Sequence, residues 1–319
     1  MKNNINNISW GNGIYLIFPH IIPDGDTLGS AIGLKNFLKS RGNEVYVVYE
    51  GEIPYNITFL DYSDFYTIEE FESKKISYDY IVSVDGSDLE RMGTRRKFLK
   101  DAKKLYNIDH HRTNLNFGDI NLVDIEAAAT GEIIFRILDQ FDYEFTKKDL
   151  EAIYTAISTD TGSFKYTNTT SETMNIAGRL IDMGLDLEKV NLNLYHNVPL
   201  KKMKITAELI NNMSMYSNDR LCVVKMTQAI LEKHEAKFSE VDGVIESVRD
   251  INGVSVVALL KEFDSEEIKV SMRSKGEVDV SEIALGFDGG GHSKAAGCMI
   301  KGSINSAEKL IVDRILEAM

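Results

Sequence analysis

Short apolar runs alternate with segments of helical spacing through the first half of the chain. Gly13–Phe18, Val45–Tyr49, Asp79–Val84 and Leu105–Ile108 are compact runs of strand length. Leu28, Ala31, Ile32, Leu34, Phe37 and Leu38 recur with the period of a helix and predict one over Thr27–Ser40. Thr130–Phe141 and Lys148–Ser158 read as two more. Strands alternating with helices predict an α/β fold built on a parallel, helix-flanked sheet. Ligands gather beyond the carboxyl ends of such strands. Three of the runs end there in aspartate and histidine: His20-Ile21-Ile22-Pro23-Asp24-Gly25-Asp26, Asp85-Gly86-Ser87-Asp88 and Asp109-His110-His111. A fourth cluster, Thr159-Asp160-Thr161-Gly162, follows the last of these helices.

Leu194–Lys204, with Pro199 and a basic run, predicts the start of a connector. It divides the chain into a first domain over residues 1–195 and, over 196–319, the connector and a smaller α/β domain. In the second part Leu221–Met226, Val254–Leu260 and Glu267–Arg273 read as strands, the last two separated by a polar turn at Asp264 and Ser265. Val280–Phe287 reads as a helix, followed by Gly289-Gly290-Gly291-His292. Ala307–Met319 is a terminal amphipathic helix with Ser306 as its predicted N-cap.

Composition narrows the function classes. The 319 residues carry 36 basic and 49 acidic side chains, a net charge of −13, with 43% hydrophobic residues and four prolines. That is the balance of a soluble globular protein, and the length favours two domains. No stretch approaches the ~18 apolar residues of a membrane helix. Met1–Gly13 is Asn-rich and lacks the order of a signal peptide, so the expected location is cytoplasmic. Two cysteines, Cys222 and Cys298, build neither a disulfide framework nor a four-cysteine zinc site. An acidic total disfavours the coating of long nucleic acid. The charge is uneven: residues 1–195 hold a net −10 and the remainder −3. A carboxylate surplus in one half suits bound cations, but from charge alone a solvated acidic surface is the favoured reading.

Each cluster alone has a plain structural reading. Asp26 fits an N-cap, Asp85-Gly86 an ordinary turn, the paired histidines a satisfied polar spot, and Asp160 a helix end. Four in this order on one parallel-sheet pattern point instead to a shared site. His20, Asp24, Asp26, Asp85, His110 and Asp160 offer two imidazoles and four carboxylates, a hard mixed set that suits Mn²⁺ better than zinc held by thiolates. Six ligands with one carboxylate shared fit a two-metal site, its ions roughly 3.5–4 Å apart.

These four clusters resemble the four motifs of the DHH phosphoesterase superfamily. Val270-Ser271-Met272-Arg273-Ser274 and Gly289-Gly290-Gly291-His292-x-x-Ala295-Ala296-Gly297 resemble its C-terminal DHH-associated domain. The resemblance covers about residues 14–300, and with no added sensory or oligonucleotide-binding domain the chain looks most like the NrnA branch of oligoribonucleases and pAp phosphatases. Two positions depart from the family pattern: Asp288 stands where a fourth glycine is frequent, and Val84-Asp85-Gly86-Ser87-Asp88 where Asp-Thr is commoner.

The resemblance implies a parallel-sheet DHH domain, a smaller α/β domain and a cleft between them. It implies one ion on His20, Asp24 and Asp85 and a second on Asp26, Asp85, His110 and Asp160, with Asp85 bridging. The ions would be Mn²⁺, or alternatively Mg²⁺ or Co²⁺. Asp85 and His111 would be the catalytic pair, His111 contacting phosphate or donating a proton to the leaving group; orienting a neighbour near the metals is the competing role. Arg273, Ser274, Gly289, Gly290, Gly291 and His292 would hold substrate phosphate, the glycines by backbone N–H groups and Arg273 by a two-pronged grip. Without the family match, a flexible turn is the favoured reading of the glycine run. The expected activity is hydrolysis of very short oligonucleotides and of 3′-phosphoadenosine 5′-phosphate (pAp). Hydrolysis of cyclic di-AMP or its linear product pApA is the alternative, and a nucleotide sensor without turnover the non-enzymatic one. The expected partners are nucleotide substrates, with no membrane and with a homodimer left open.

Overall fold

In the first half, the apolar runs pair side by side. β1 (Ile14–Phe18) pairs in parallel with β2 (Glu44–Val48) and with β4 (Tyr80–Val84). The two-residue β3 (Phe65–Tyr66) extends the sheet beyond β2, while β5 (Lys104–Asp109) and β6 (Ile120–Val123) extend it beyond β4. The strand order is β3-β2-β1-β4-β5-β6, all parallel. The order reverses between β1 and β4, so the crevice at their carboxyl ends is where such a sheet takes a ligand. The computed structural model describes residues 8–241, 243–263 and 266–319, and it divides the chain into one unit ending at Asn197 and another spanning Val198–Met319.

One face of this first sheet is covered by α1 (Gly25–Ser40), α3 (Thr130–Gln140) and α4 (Lys147–Asp160), whose apolar sides merge with Ile17, Val47, Val82 and Ile108 in one core. The other face packs Leu16, Phe18 and Ile81 against α2 (Ile68–Lys74) and the short helical turns of Leu89–Asp101. α5 (Ser171–Asp182) and α6 (Leu187–Tyr195) complete the unit.

The tightest contact is between α1 and α4. Gly25, Gly29 and Gly33 fall every fourth residue on α1, on one face. A Cβ on Gly25 would lie 2.4 Å from the Thr159 hydroxyl, and one on Gly29 2.3 Å from the Ala152 carbonyl oxygen. The missing side chains let the two helices touch backbone to backbone.

The second unit opens with α7 (Leu200–Asn211) and builds a mixed sheet ordered β11-β12-β10-β9-β8-β7. Its strands are β7 (Ser214–Tyr216), β8 (Leu221–Met226), β9 (Val256–Glu262), β10 (Glu267–Ser274), β11 (Gly290–His292) and β12 (Ala295–Lys301). Only β8 and β9 run parallel. α10 (Val280–Leu285) and α11 (Ile304–Ala318) cover one face, and α8 (Gln228–Lys233) with α9 (Val244–Arg249) belongs to the other side's apolar cluster.

Several sequence expectations change here. The terminal helix starts three residues earlier than predicted, because Ser303 rather than Ser306 is its cap and accepts the Ser306 amide. Leu194–Lys204 is mostly helical, being the end of α6 and the start of α7, with only residues 196–199 between them. The helix predicted over Val280–Phe287 stops at Leu285, before the left-handed Asp288. Gly290 and Gly291 lie in a strand rather than a flexible turn. The polar turn at Asp264 and Ser265 lies outside the described residues. Among the described residues no helix is long and apolar enough to cross a membrane.

Gly29→Ala is expected to destabilise the protein by about 1–3 kcal/mol, since the added methyl meets a backbone carbonyl that has no rotamer to move. Urea denaturation checks this. A stability equal to that of the parent would mean that α1 and α4 are not held at this distance.

Candidate metal centre

β1 ends two residues before His20, and the chain then enters α1 through Pro23 and Asp24. The Asp24 carboxylate accepts the Thr27 amide (3.0 Å), capping α1 and placing Asp26 in its first turn. Thr27 ties this loop to the next strand: its hydroxyl accepts the His20 amide (3.0 Å) and donates to the Val84 carbonyl (3.1 Å). Val84 ends β4, and the residue after it is Asp85. Asp85 adopts φ +60°, a left-handed conformation that costs most residues about 1–3 kcal/mol and that Asp tolerates better than most. His110 and His111 leave the end of β5, and Asp160 is the last residue of α4.

The six expected ligands are brought together. Donor atoms of His20, Asp24 and Asp85 form one close group and those of Asp26, His110 and Asp160 a second. His20 Nε2 is 3.4 Å from carboxylate oxygens of both Asp24 and Asp85. His110 Nε2 is 3.8 Å from Asp26, 3.6 Å from Asp85 and 3.5 Å from Asp160. The Asp85 carboxylate therefore faces both groups, one oxygen towards each histidine. These separations exceed a good hydrogen bond. They match donors sharing a cation, since metal–ligand distances near 2.1 Å space neighbouring octahedral ligands about 3 Å apart. The His110 ring is turned for this by its other nitrogen, which lies 3.3 Å from the Ala127 carbonyl. The donor set fits a divalent cation that accepts both nitrogen and oxygen.

The electrostatics point the same way. Burial, then repulsion from Asp85, Asp160 and Asp24, raises the Asp26 carboxyl well above its ordinary range. Asp160 is pushed up to about 6, again by burial first and by its carboxylate neighbours next. It also sits at a helix C-terminus, where the backbone dipole disfavours negative charge. Burial disfavours charge on His20 and His111, but the nearby carboxylates of Asp24 and Asp85 in one case, and the hydrogen bond to Asp109 in the other, prevail and raise both to about 9. Burial opposes ionisation of Asp85 too, yet His20, His110 and His111 hold it below the usual carboxylate range.

The sequence reading missed the groups that hold these ligands. Ala129 precedes α3 without a capping side chain. Asp26 from α1 caps that helix instead, its two oxygens accepting the Thr130 amide (2.7 Å) and the Gly131 amide (2.9 Å). The Thr130 hydroxyl donates to Asp85 (2.9 Å). An uncapped Ala-Ala-Thr-Gly at a predicted helix start was the available signal. Asp109, wholly buried, accepts from His111 Nδ1 at 2.7 Å.

The other expected substrate residues lie in the second unit. Pairing registers place His292 opposite Ala295 and Ala295 opposite Arg273. Directly paired residues share a sheet face, so His292 and Arg273 flank one small side chain about two strand spacings apart. Arg273 Nε is 3.3 Å from Glu246. Gly290 and Gly297 form the neighbouring row. Gly289 and Gly291 are needed for packing: a Cβ on either would lie within 2.5 Å of a backbone oxygen of β12. Ser274 is placed differently from Arg273. It is buried, and its hydroxyl donates to the Val278 carbonyl (2.8 Å), so it braces the turn before α10. Asp288 has φ +54°, which explains why glycine suits that place.

Comparison with known proteins defines the class. Residues 15–157 match the model of the DHH family N-terminal domain and residues 218–319 that of the DHHA1 domain. The chain belongs to the DHH phosphoesterase family, hydrolases of phosphate or phosphodiester bonds whose enzymes depend on metal ions. It is 30% identical over 312 residues to the bifunctional oligoribonuclease and PAP phosphatase NrnA of Thermus thermophilus, covering 96% of this chain and 90% of that protein. The Bacillus subtilis protein of the same name is 28% identical, with 93% and 92% covered. The crystal structure of an exopolyphosphatase-related protein from Bacteroides fragilis superposes with a TM-score of 0.88 at 27% identity, covering 96% of this chain and 92% of that one.

A pH dependence follows. His20 and His111 stabilise the metal-free fold fully below their unfolded value near 6.5, and that contribution is lost as pH rises towards 9. Asp26 and Asp160 are raised, so folding favours their protonated forms and they also weaken the metal-free fold as pH rises, Asp160 across the interval from about 4 to 6. A bound cation favours the deprotonated donors and reverses the trend. The rise in Tm on adding divalent metal to chelated protein should therefore be larger at pH 8.5 than at pH 6.5. An equal rise at both would contradict the assigned donor set.

Proposed function

We propose that this protein hydrolyses very short oligonucleotides, from dinucleotides to pentanucleotides, to mononucleotides and pAp to AMP. The observation that carries this reading is the Asp85 carboxylate at the rim of the first sheet, grouped with His20 and Asp24 and facing His110, which is itself grouped with Asp26 and Asp160. The two relatives whose names state oligoribonuclease and PAP phosphatase activity support the choice of substrate.

In this reading His20, Asp24 and Asp85 hold one divalent ion, and Asp26, Asp85, His110 and Asp160 the other, the metal being Mn²⁺, or alternatively Mg²⁺ or Co²⁺. Such ions, when bound, supply a nucleophile from water at neutral pH and neutralise charge on the phosphoryl oxygens. Asp85 fixes the spacing between the two positions, because each oxygen faces one of them. His111 lies beside this group with about a third of its side chain exposed, and its Nδ1 is engaged by Asp109. Its Nε2 therefore points away from Asp109 and serves the substrate, by contacting phosphate or protonating the leaving oxygen. In the second unit Arg273 and His292, on one face with only Ala295 between them, hold a further phosphate of the substrate. Arg273 exchanges Glu246 for the ligand, and Gly290, whose Cβ position is open, lets that phosphate approach the backbone.

Asp85→Ala should abolish hydrolysis, by about three orders of magnitude or more, in a protein that remains folded. Arg273→Ala should raise KM about tenfold or more with little change in kcat, since a grip on a phosphate that does not react contributes binding in ground and transition states alike. Steady-state assays on pAp, di- to pentanucleotides, cyclic di-AMP and pApA at fixed manganese check both. Preference for cyclic di-AMP or pApA would replace the proposed substrate. Tight binding without turnover at any metal concentration would indicate a sensor.

A further inference from the structure

We propose that Asn114 is a positioning residue for His111, acting through Asp109; the proposal rests on the reading that places His111 at the substrate. Asn114 lies on the loop after β5. Its Nδ2 donates to Asp109 Oδ2 (2.5 Å) and to Asn107 Oδ1 (2.8 Å), with the Gly86 carbonyl at 3.2 Å. Asn107 is wholly buried in β5 and donates to the same Gly86 carbonyl (2.9 Å). The Asn114 carbonyl oxygen accepts the Asn116 amide (2.6 Å), which fixes the side-chain amide against flipping. A continuous set of hydrogen bonds thus joins the residue after Asp85 to the carboxylate that holds His111.

The consequence lies in a competition for one proton. His111 Nδ1 is 2.7 Å from Asp109 Oδ1 and 3.7 Å from Asp85 Oδ1. Both acceptors are buried carboxylates, and Asp85 faces the metal positions. With Oδ2 clamped by Asn114, Asp109 presents Oδ1 to the ring in one orientation, and the ring stays off Asp85. Without the clamp, Asp109 is free to rotate about its terminal bond, and the imidazole gains a second resting place against Asp85. The ring then spends its time with Nε2 misdirected, and Asp85 loses part of its capacity for metal. Asn114 touches neither metal nor substrate in this scheme.

The test is a mutant cycle on the full-length, metal-loaded protein with whichever phosphodiester the parent hydrolyses. Asn114→Ala should lower kcat about 10- to 100-fold, the range typical of lost outer-shell orientation, with KM within about twofold. In a His111→Ala background it should lower kcat no further, because its effect passes through the missing ring. ¹H–¹⁵N NMR should show a single hydrogen-bonded Nδ1–H for His111 in the parent and an exchange-broadened one in the variant. Unchanged kcat for Asn114→Ala, or losses that multiply in the double variant, would overturn the proposal. Full activity of His111→Ala would overturn the placing of His111 itself and the proposal with it. Should Asn114→Ala fail to fold, Asn114→Ser is judged by the same criteria.

Discussion

Asp26 is a carboxylate 1% exposed to solvent with three other carboxylates around it. Left alone it would not stay charged, and as a neutral acid it would be a poor ligand. Two features oppose the repulsion. The first turn of α1 brings its dipole to bear, and the uncapped start of α3 gives two of its amides, one to each oxygen. One side chain thus completes one helix while belonging to another. Moving either helix removes the ligand, and removing the ligand leaves α3 with unpaired amides. The arrangement of α1, α3 and the sheet rim stands or falls with that interaction.

Asp160, another of the expected ligands, depends on a different constraint. Asp160 comes from the far end of α4, and only the bare face of Gly25, Gly29 and Gly33 lets α4 lie close enough. The glycines are costly within a helix, roughly 1 kcal/mol each relative to alanine. That cost is offset by the contact they permit. The centre is therefore assembled by backbone proximity between helices as well as by strand ends.

Much of this was legible in the sequence, and the reasons for the remainder are specific. Strand runs such as Tyr80–Val84 announce themselves through buried β-branched residues, and their aspartate and histidine endings mark the rim of the sheet. β3, two residues long, and β12, with its Ala-Ala-Gly opening, carry too little apolar signal to be read. The glycine spacing on α1 was present but hidden, because periodicity counts apolar side chains and a glycine contact leaves none. The sequence points to Asp26 as a metal ligand, with a cap for its own helix as the plain alternative, a place that Asp24 takes. The role of Asp26 as the cap of α3, 104 residues further on, is tertiary and has no local trace beyond the missing cap at Ala129.

Under the proposed function, charge counting bears on whether one ion or two would suit the centre. Asp24, Asp26, Asp85, Asp109 and Asp160 contribute five negative charges when ionised, and His20 and His110 must be neutral to act as ligands. One divalent ion would leave a net of −3, or −2 with His111 protonated, in a mostly buried volume that must also accept a phosphate. Two divalent ions leave −1, and a protonated His111, which Asp109 favours, brings the sum to zero. Only in that last state does an anionic phosphodiester enter without net repulsion. The same count explains why His111 is paired with its own private carboxylate rather than with Asp85. Under the proposed function, a proton held by Asp85 would compete directly with cations at its oxygens, whereas one held by Asp109 would add positive charge to the site and leave those oxygens free.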